Sequence, residues 1–182
     1  MTMKNLIFLF SFLFLISCTN VPTKTYTVKA GKHRSTNKIT ILKKDAISYQ
    51  FSTNDTWIWQ TPQNNGWSKV LGIGWGSNHK NSVRIVYRML NDSIGALGYY
   101  YYVNGVSPMQ NNNYWGILDT ITIGNVYAGR LGWENGYYFI SLNDKFHSIK
   151  IDKPTGIKNL QHPYIGGTYT INHDWTTTQK IW

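Results

Sequence analysis

Apolar and polar residues alternate along much of this chain, with the period of a β-strand. Between residues 83 and 89 every second side chain is apolar, while Arg84 and Arg88 occupy positions between them. Because successive side chains of a strand point to opposite faces, this pattern predicts a strand with one buried face. The same criteria predict strands over residues 25–30, 39–42, 46–52, 67–75, 83–89, 94–103, 118–123, 126–133, 137–142, 146–151, 164–169 and 171–182.

Turn-forming dipeptides separate several of these segments. Asn104-Gly105 and Asn135-Gly136 are typical of tight β-hairpins, and Asn143-Asp144 predicts another turn. The chain therefore has about ten to twelve short strands at regular spacing, and no segment has the period of an amphipathic helix. This combination predicts an all-β fold, an antiparallel β-sandwich or jelly roll.

The first residues have a different character. Lys4 precedes an apolar run over residues 6–16 that only Ser11 interrupts, and the run ends in Leu-Ile-Ser-Cys at Cys18. The run is shorter than the roughly 20 residues that a membrane-spanning helix needs, so it is interpreted as a targeting segment. We expect a signal peptide over 1–17, a lipidated Cys18 on a tether over 18–24, and a β-sandwich domain over 25–182. Cys18 is the single cysteine, which excludes an intrachain disulfide.

This beginning resembles the lipoprotein signals of Bacteroidota. The resemblance implies a protein of the bacterial cell envelope, attached to the membrane through acyl chains on Cys18. Thr19 differs from the Asp that retains lipoproteins in the inner membrane of enteric bacteria, which favours the outer membrane. The sequence does not decide between the periplasmic side and the cell-surface side of the membrane.

Composition narrows the choice of partners. The chain has a formal net charge of +10, with eight Trp and thirteen Tyr. A basic excess favours acidic partners such as phosphate, uronate or sulfate groups, or nucleic acid. In a lipid-anchored envelope protein we expect no nucleic acid. The basic stretch over residues 24–44, which contains no acid, either contacts lipid phosphates or an anionic polymer, or is a solvated face near the membrane.

Several segments of the domain resemble those of concanavalin A-like jelly-roll proteins, including uncharacterised Bacteroidota lipoproteins. They are residues 29–33, 83–88, 99–105 and 164–167, and the pair His173-Asp174. The resemblance implies a jelly-roll fold. It implies no particular function, since that fold group contains lectins, carbohydrate-binding modules, glycoside hydrolases and polysaccharide lyases.

Candidate catalytic residues are few. A glycosidase needs two carboxylates, but Glu134 is the only Glu of the chain and lies beside a predicted turn. A polysaccharide lyase, which needs a Tyr or His and a residue that neutralises a uronate, could use Tyr87, His173 and Arg84. The motifs of known jelly-roll alginate lyases are not found. The five His are too dispersed to predict a metal site, and we expect no cofactor.

Aromatic residues are the remaining candidates for a binding site. Four consecutive Tyr, 99–102, place two rings on each face of a strand. If Tyr100 and Tyr102 face outward near an Arg, they form a platform for stacking a sugar ring and orienting an acidic group. The predicted glycan-binding residues are Tyr100, Tyr102, Arg84, Arg88, Trp57 and Trp115. The alternative is that these rings fill the core.

Three hypotheses follow from the sequence. The first is a lipid-anchored, non-catalytic binder of an acidic glycan or other envelope polymer. The second is a polysaccharide lyase that acts on a uronate polymer. The third is a structural or assembly lipoprotein whose sheet contacts another envelope protein.

Overall fold

Two antiparallel β-sheets pack face to face in the computed structural model, which describes residues 21–36, 38–59, 66–77, 79–91, 93–166 and 170–182. The six-stranded sheet has the order β1 (Lys24–Val28), β11 (Trp175–Ile181), β2 (Ala46–Ser52), β7 (Val126–Glu134), β8 (Tyr137–Leu142) and β9 (Lys145–Lys150). The five-stranded sheet has the order β10 (Lys158–Gln161), β3 (Ser68–Trp75), β4 (Asn81–Met89), β5 (Gly95–Tyr102) and β6 (Trp115–Thr120). Single turns of 3₁₀-helix occupy Asp55–Trp57, Pro108–Gln110 and Asn112–Tyr114. The antiparallel β-sandwich predicted from the sequence is confirmed.

The core lies between the two sheets. The inward side chains of β4 include Val83, Ile85 and Tyr87, all with no exposed surface. They face inward side chains of the other sheet such as Leu131 and Ile140, which are also fully buried. Burial of apolar area on this scale is the main stabilising contribution to a disulfide-free sandwich. It also fixes the opposite faces of β4 and β5 as the outer surface, because the side chains alternate.

The predicted Asn turns have the backbone geometry that hairpins require. Asn104, Asn135 and Asn143 all have a φ of 51°, and Gly136 follows Asn135 with a φ of 87°. Positive φ at both central residues matches the twist of the strands that the turn joins, and Asn and Gly adopt it most readily. The Asn135-Gly136 turn aligns β7 with β8, pairing Glu134 with Tyr137.

Two predicted strands differ from the structure, and one strand of the structure was not predicted. Residues 39–42 contribute only an isolated bridge, Ile41 to Asn159, and Tyr164 pairs only through bridges to Arg34 and Lys69. The strand β10 was not predicted, because its four residues are too short and too polar to show alternation. Residues 167–169, the last part of the predicted strand 164–169, lie outside the described residues.

The predicted signal peptide and Cys18 also lie outside the described residues, as does the first part of the tether. The first strand begins at Lys24, next to the predicted domain boundary. Within the described part of the chain, no helix has the length and apolar character needed to cross a bilayer.

Candidate functional site

A groove of about 770 Å³ lies on the outer face of the five-stranded sheet. We call it the basic groove. Five cationic side chains line it: Arg34, Lys38, Lys69, Arg84 and Arg88. Aromatic and polar side chains complete its surface: Trp67, His79, Tyr100, Trp115, Asn159, Gln161, His162 and Tyr164. Among the described residues that line the groove there is no Asp or Glu. The groove therefore concentrates positive charge, although acids occur elsewhere on the molecule.

Alternation along β4 and β5 produces this face. Arg84 and Arg88 point outward from β4 because Val83, Ile85 and Tyr87 point into the core. Tyr101 is in the core and Tyr99 packs against it, so the outer face of β5 carries Tyr100 and Tyr102. The two strands pair with Arg84 opposite Tyr100, which places the guanidinium beside the rings.

One end of the groove is an aromatic cluster around Arg88. The Arg88 guanidinium carbon lies 4.7 Å from the centroid of a Trp67 ring and 5.8 Å from that of Trp115. The two indoles are themselves 6.1 Å apart, tilted by 58°. Tyr100 joins Trp67 in this outer cluster. Nε of Arg88 is buried and has no hydrogen-bond partner in the described part of the chain. The two Trp rings therefore hold Arg88 through cation–π contacts.

Three basic side chains meet at a second position in the groove. Burial lowers the pKa of Arg84, which is only 3% exposed, to about 10. Burial and the charge of Arg84 lower the pKa of Lys69 to about 8. Partial burial, and then the charges of Arg84 and Lys69, lower the pKa of His79. Like charges held close together and partly out of water are an environment that a bound anion would stabilise.

Aromatic rings support both of these charges. The Arg84 guanidinium carbon is 4.8 Å from the centroid of Tyr102, and Nζ of Lys69 is 4.9 Å from that of Tyr164. Tyr102 also contacts His79 edge to face, with centroids 5.2 Å apart. Ring faces attract cations without neutralising their charge.

The strand β10 adds amide groups to one side of the groove. Gln161 is 8% exposed and its Nε2 donates a hydrogen bond to Oδ1 of Asn159. Nearby, a nitrogen of His162, Nε2, lies 3.1 Å from Oγ1 of Thr40. Burial is the main cause that lowers the pKa of His162. This wall therefore presents neutral hydrogen-bonding groups beside the cations.

The structure brings five of the predicted residues together in or beside the basic groove. Arg84, Arg88, Tyr100 and Trp115 line it, and Tyr102 lies at its edge against Arg84. Trp67 and Lys69 lie in the predicted strand 67–75 but were not predicted as site residues, because a β-bulge between Lys69 and Leu71 changes which side chains of β3 face outward. Tyr164 and the amides of β10 were also not predicted as site residues. Tyr164 pairs only through isolated bridges, and β10 is only four residues long.

Trp57 corrects the expectation of a surface platform. It has no exposed surface, and its ring stacks against Phe51 with centroids 5.7 Å apart. Its Nε1 donates a hydrogen bond of 2.9 Å to the Thr176 carbonyl oxygen. A position near a turn suggested exposure, but the 3₁₀ turn Asp55–Trp57 directs the indole inward. Trp57 is a core residue with a satisfied indole nitrogen.

The proposed lyase residues Tyr87, His173 and Arg84 are not assembled into one site. Tyr87 has no exposed surface, and its hydroxyl donates a hydrogen bond to the Trp57 carbonyl oxygen. Burial raises its pKa, the opposite of what a catalytic base requires. His173 precedes β11 of the other sheet, where Nε2 lies 3.0 Å from the Thr56 carbonyl oxygen. Arg84 points to the opposite face of β4 from Tyr87.

Among the described residues, no three or more His, Cys, Asp or Glu side chains are grouped so that they could hold a metal ion.

Comparison with known proteins gives a fold and no family. No protein-family model matches the chain, and no curated protein matches it significantly. Among solved structures, the alginate lyase AlyC3 has a TM-score of 0.52 at 10% identity, covering 90% of this chain and 74% of that one. An alginate lyase from Alteromonas sp. 272 has a TM-score of 0.48 at 9% identity, with coverages of 87% and 71%. A GH16 protein of a Bacteroides ovatus mixed linkage glucan PUL has a TM-score of 0.47 at 14% identity, with coverages of 87% and 80%.

The strand order and the likeness to AlyC3 together define the class of fold. The chain is an antiparallel two-sheet sandwich of the concanavalin A-like jelly-roll kind. At this level of identity the likeness extends to the fold and no further, so function rests on the groove itself.

Proposed function

We propose that the basic groove binds an acidic glycan and that the protein is a binder rather than a catalyst. One observation carries the proposal: cations and flat aromatic side chains line one open groove, with no carboxylate among its described lining residues. Polar groups that converge on a concave, partly aromatic surface are the usual composition of a ligand site. A volume of about 770 Å³ has room for more than one sugar unit.

Two positions of the groove have different roles in this proposal. Lys69 and Arg84 neutralise a carboxylate or sulfate group of the polymer. The Arg fork can contact two oxygens of such a group at once. Trp67, Trp115 and Tyr100 supply ring faces against which a sugar packs its apolar side. Asn159 and Gln161 offer amide groups to the hydroxyls of the chain.

Elimination from a uronate polymer is a second candidate. The observation that favours it is the contact of His79 with Tyr102 beside Arg84, since a His or Tyr near a charge-neutralising Arg is the minimum that β-elimination needs. His79 and Tyr102 take the places of His173 and Tyr87 in the trio that the sequence suggested, and Arg84 is common to both sets. Binding alone is the simpler interpretation, because the Tyr102 ring packs against the Arg84 guanidinium instead of standing free as a catalytic group.

We further propose that the protein works in the bacterial envelope, anchored through Cys18, with the outer membrane favoured. The support is the sequence of residues 1–18 alone. Cell fractionation of a bacterium that expresses the chain tests it. The wild-type protein should be recovered with membranes, and Cys18→Ala should release it. Recovery of both in the soluble fraction would contradict the anchor.

A glycan array tests the binding proposal directly. We expect the protein to retain uronate- or sulfate-bearing oligosaccharides at low and at moderate salt, and Arg88→Ala to weaken that retention. Lys180→Ala is the matched control, since Lys180 is exposed on β11 of the other sheet. Ultraviolet absorbance of the retained oligosaccharides detects the unsaturated ends that a lyase would leave. Binding that disappears at moderate salt, or that Lys180→Ala weakens equally, would reduce the charge to a solvated surface and favour a protein partner.

A further inference from the structure

A second depression, of about 360 Å³, lies on the outer face of the six-stranded sheet, on the other side of the sandwich from the basic groove. The strands β7, β8 and β9 form it. From its geometry we propose a second glycan site that takes a neutral pyranose. This inference is independent of the proposed function, because the two sites share no residue.

The depression exists because a large ring is surrounded by small residues. Phe139 points outward from β8, opposite Gly132 on β7 and opposite Ser148 on β9. It is nevertheless only 7% exposed, partly because the Arg130 guanidinium carbon lies 5.5 Å from its ring centroid. Phe139 is therefore the floor of the depression.

Two further rings stand at the sides of this floor. Phe146 is 63% exposed and Tyr137 is 43% exposed, and both values are high for large aromatic rings. Flat ring faces around a shallow depression match the apolar C–H face of a pyranose. The volume falls at the small end of the range for ligand sites, about 300–1,000 Å³, which suits one or two sugar units.

The charged side chains that line the site have opposite charges. Nη2 of Arg130 lies 3.6 Å from Oε2 of Glu134, and both side chains are about half exposed. This separation exceeds that of a hydrogen bond, so the guanidinium keeps donors and the carboxylate keeps acceptors. Adjacent hydroxyls of a sugar can accept from Arg130 and donate to Glu134 at the same time. Since the pair has no net charge, it has no preference for an acidic ligand, in contrast to the basic groove.

The test is an NMR titration of the full chain, in a detergent without a sugar headgroup. The probes are the methyl β-glycosides of glucose, galactose and mannose, and cellotetraose. We expect at least one probe to shift the ring signals of Phe146 and Tyr137 in a saturable way. Phe146→Ala should abolish the shift of the Tyr137 ring signal, and Glu134→Gln should weaken binding about tenfold, the equivalent of roughly one strong polar contact.

Phe146→Tyr and Trp115→Ala are the controls. Phe146→Tyr keeps a ring at the site and should retain the probe, and Trp115→Ala changes only the basic groove and should leave the titration unaltered. Phe146 is too exposed for its removal to threaten folding. The inference is overturned if no probe shifts these signals, or if Phe146→Ala and Glu134→Gln leave the shifts unchanged. Loss of acidic-glycan binding would not affect this outcome, so the two proposals fail separately.

Discussion

At the scale of single residues, the environment of Lys69 decides most about the proposed chemistry. A lysine in water stays charged to high pH, whereas here burial and the neighbouring Arg84 lower the pKa to about 8. The sequence could not predict this, because the proximity of Lys69 to Arg84 arises from pairing between β3 and β4 after a bulge. Arg84 and Arg88 themselves were predictable from alternation, and the structure places both in the groove.

Binding of an acidic glycan should therefore weaken as the pH rises from 7 to 9. Lys69 is charged below its folded pKa of about 8 and neutral above it, so the attraction for an anion is lost across this window. Titrations with oligogalacturonate at successive pH values measure the effect. Lys69→Gln should bind more weakly and show no such decline, while Lys180→Gln should behave as the wild type.

Unfolding of the protein does not explain that decline. The folded pKa of Lys69 lies below the value of 10.5 for a free lysine, so the unfolded chain binds more protons between these two values. The contribution of Lys69 to stability thus rises with pH while its contribution to binding falls. Equal pH dependence in Lys69→Gln and the wild type would contradict the role assigned to Lys69.

Tyr87 offers a test that separates core from site. Tyr87→Phe removes the hydroxyl that donates to the buried Trp57 carbonyl oxygen. We expect the free energy of unfolding to fall by about 1–2 kcal/mol, measured by urea denaturation, because a buried acceptor loses its partner. Affinity for the acidic glycan should not change. A loss of binding or turnover without a loss of stability would show that Tyr87 is a functional residue and not only a core residue.

At the scale of strands, alternation predicted the elements whose two faces differ and missed those where it is interrupted. The predicted limits of β2 and β8 agree with the structure, and β4 and β5 differ from their predictions only at the ends. The bulge in β3 and the four-residue β10 break the period, and both contribute to the groove. The central strands of the groove, β4 and β5, could therefore be predicted from the sequence, whereas the wall formed by β10 could not.

Gly98 on β5 shows how closely these strands approach one another. A Cβ at this position would meet the Gly116 carbonyl oxygen of β6, and would come within 3.0 Å of the Trp67 ring. Gly98→Ala should therefore cost about 1–3 kcal/mol of stability through overpacking, and should displace Trp67 from the aromatic cluster. Thermal denaturation and Trp fluorescence measure the two effects. Thr120→Ala, an exposed position at the end of β6, is the control. Unchanged stability and fluorescence in Gly98→Ala would show that β6 and Trp67 are not held as the structure indicates.

At the scale of the whole molecule, the two outer faces carry depressions of different charge. One outer face carries a groove lined by cations without described acids, and the other carries the paired Arg130 and Glu134. The sequence predicted the sandwich and an acidic partner, since both depend on composition and period. It could not show this segregation, because that depends on which strands become neighbours. Exposed charges are screened beyond roughly 8 Å at physiological salt, whereas contacts within the groove are much shorter.

A calorimetric titration of oligogalacturonate into the protein tests whether the basic groove binds an acidic glycan. Trp115→Ala removes a ring of the basic groove, and Phe146→Ala is the matched control, since it removes a ring from the opposite face. We expect saturable binding by the wild type, about five- to tenfold weaker binding by Trp115→Ala, and no change in Phe146→Ala. Absence of binding by the wild type, or equal affinity in Trp115→Ala, would contradict the assignment of the basic groove as the site of an acidic glycan.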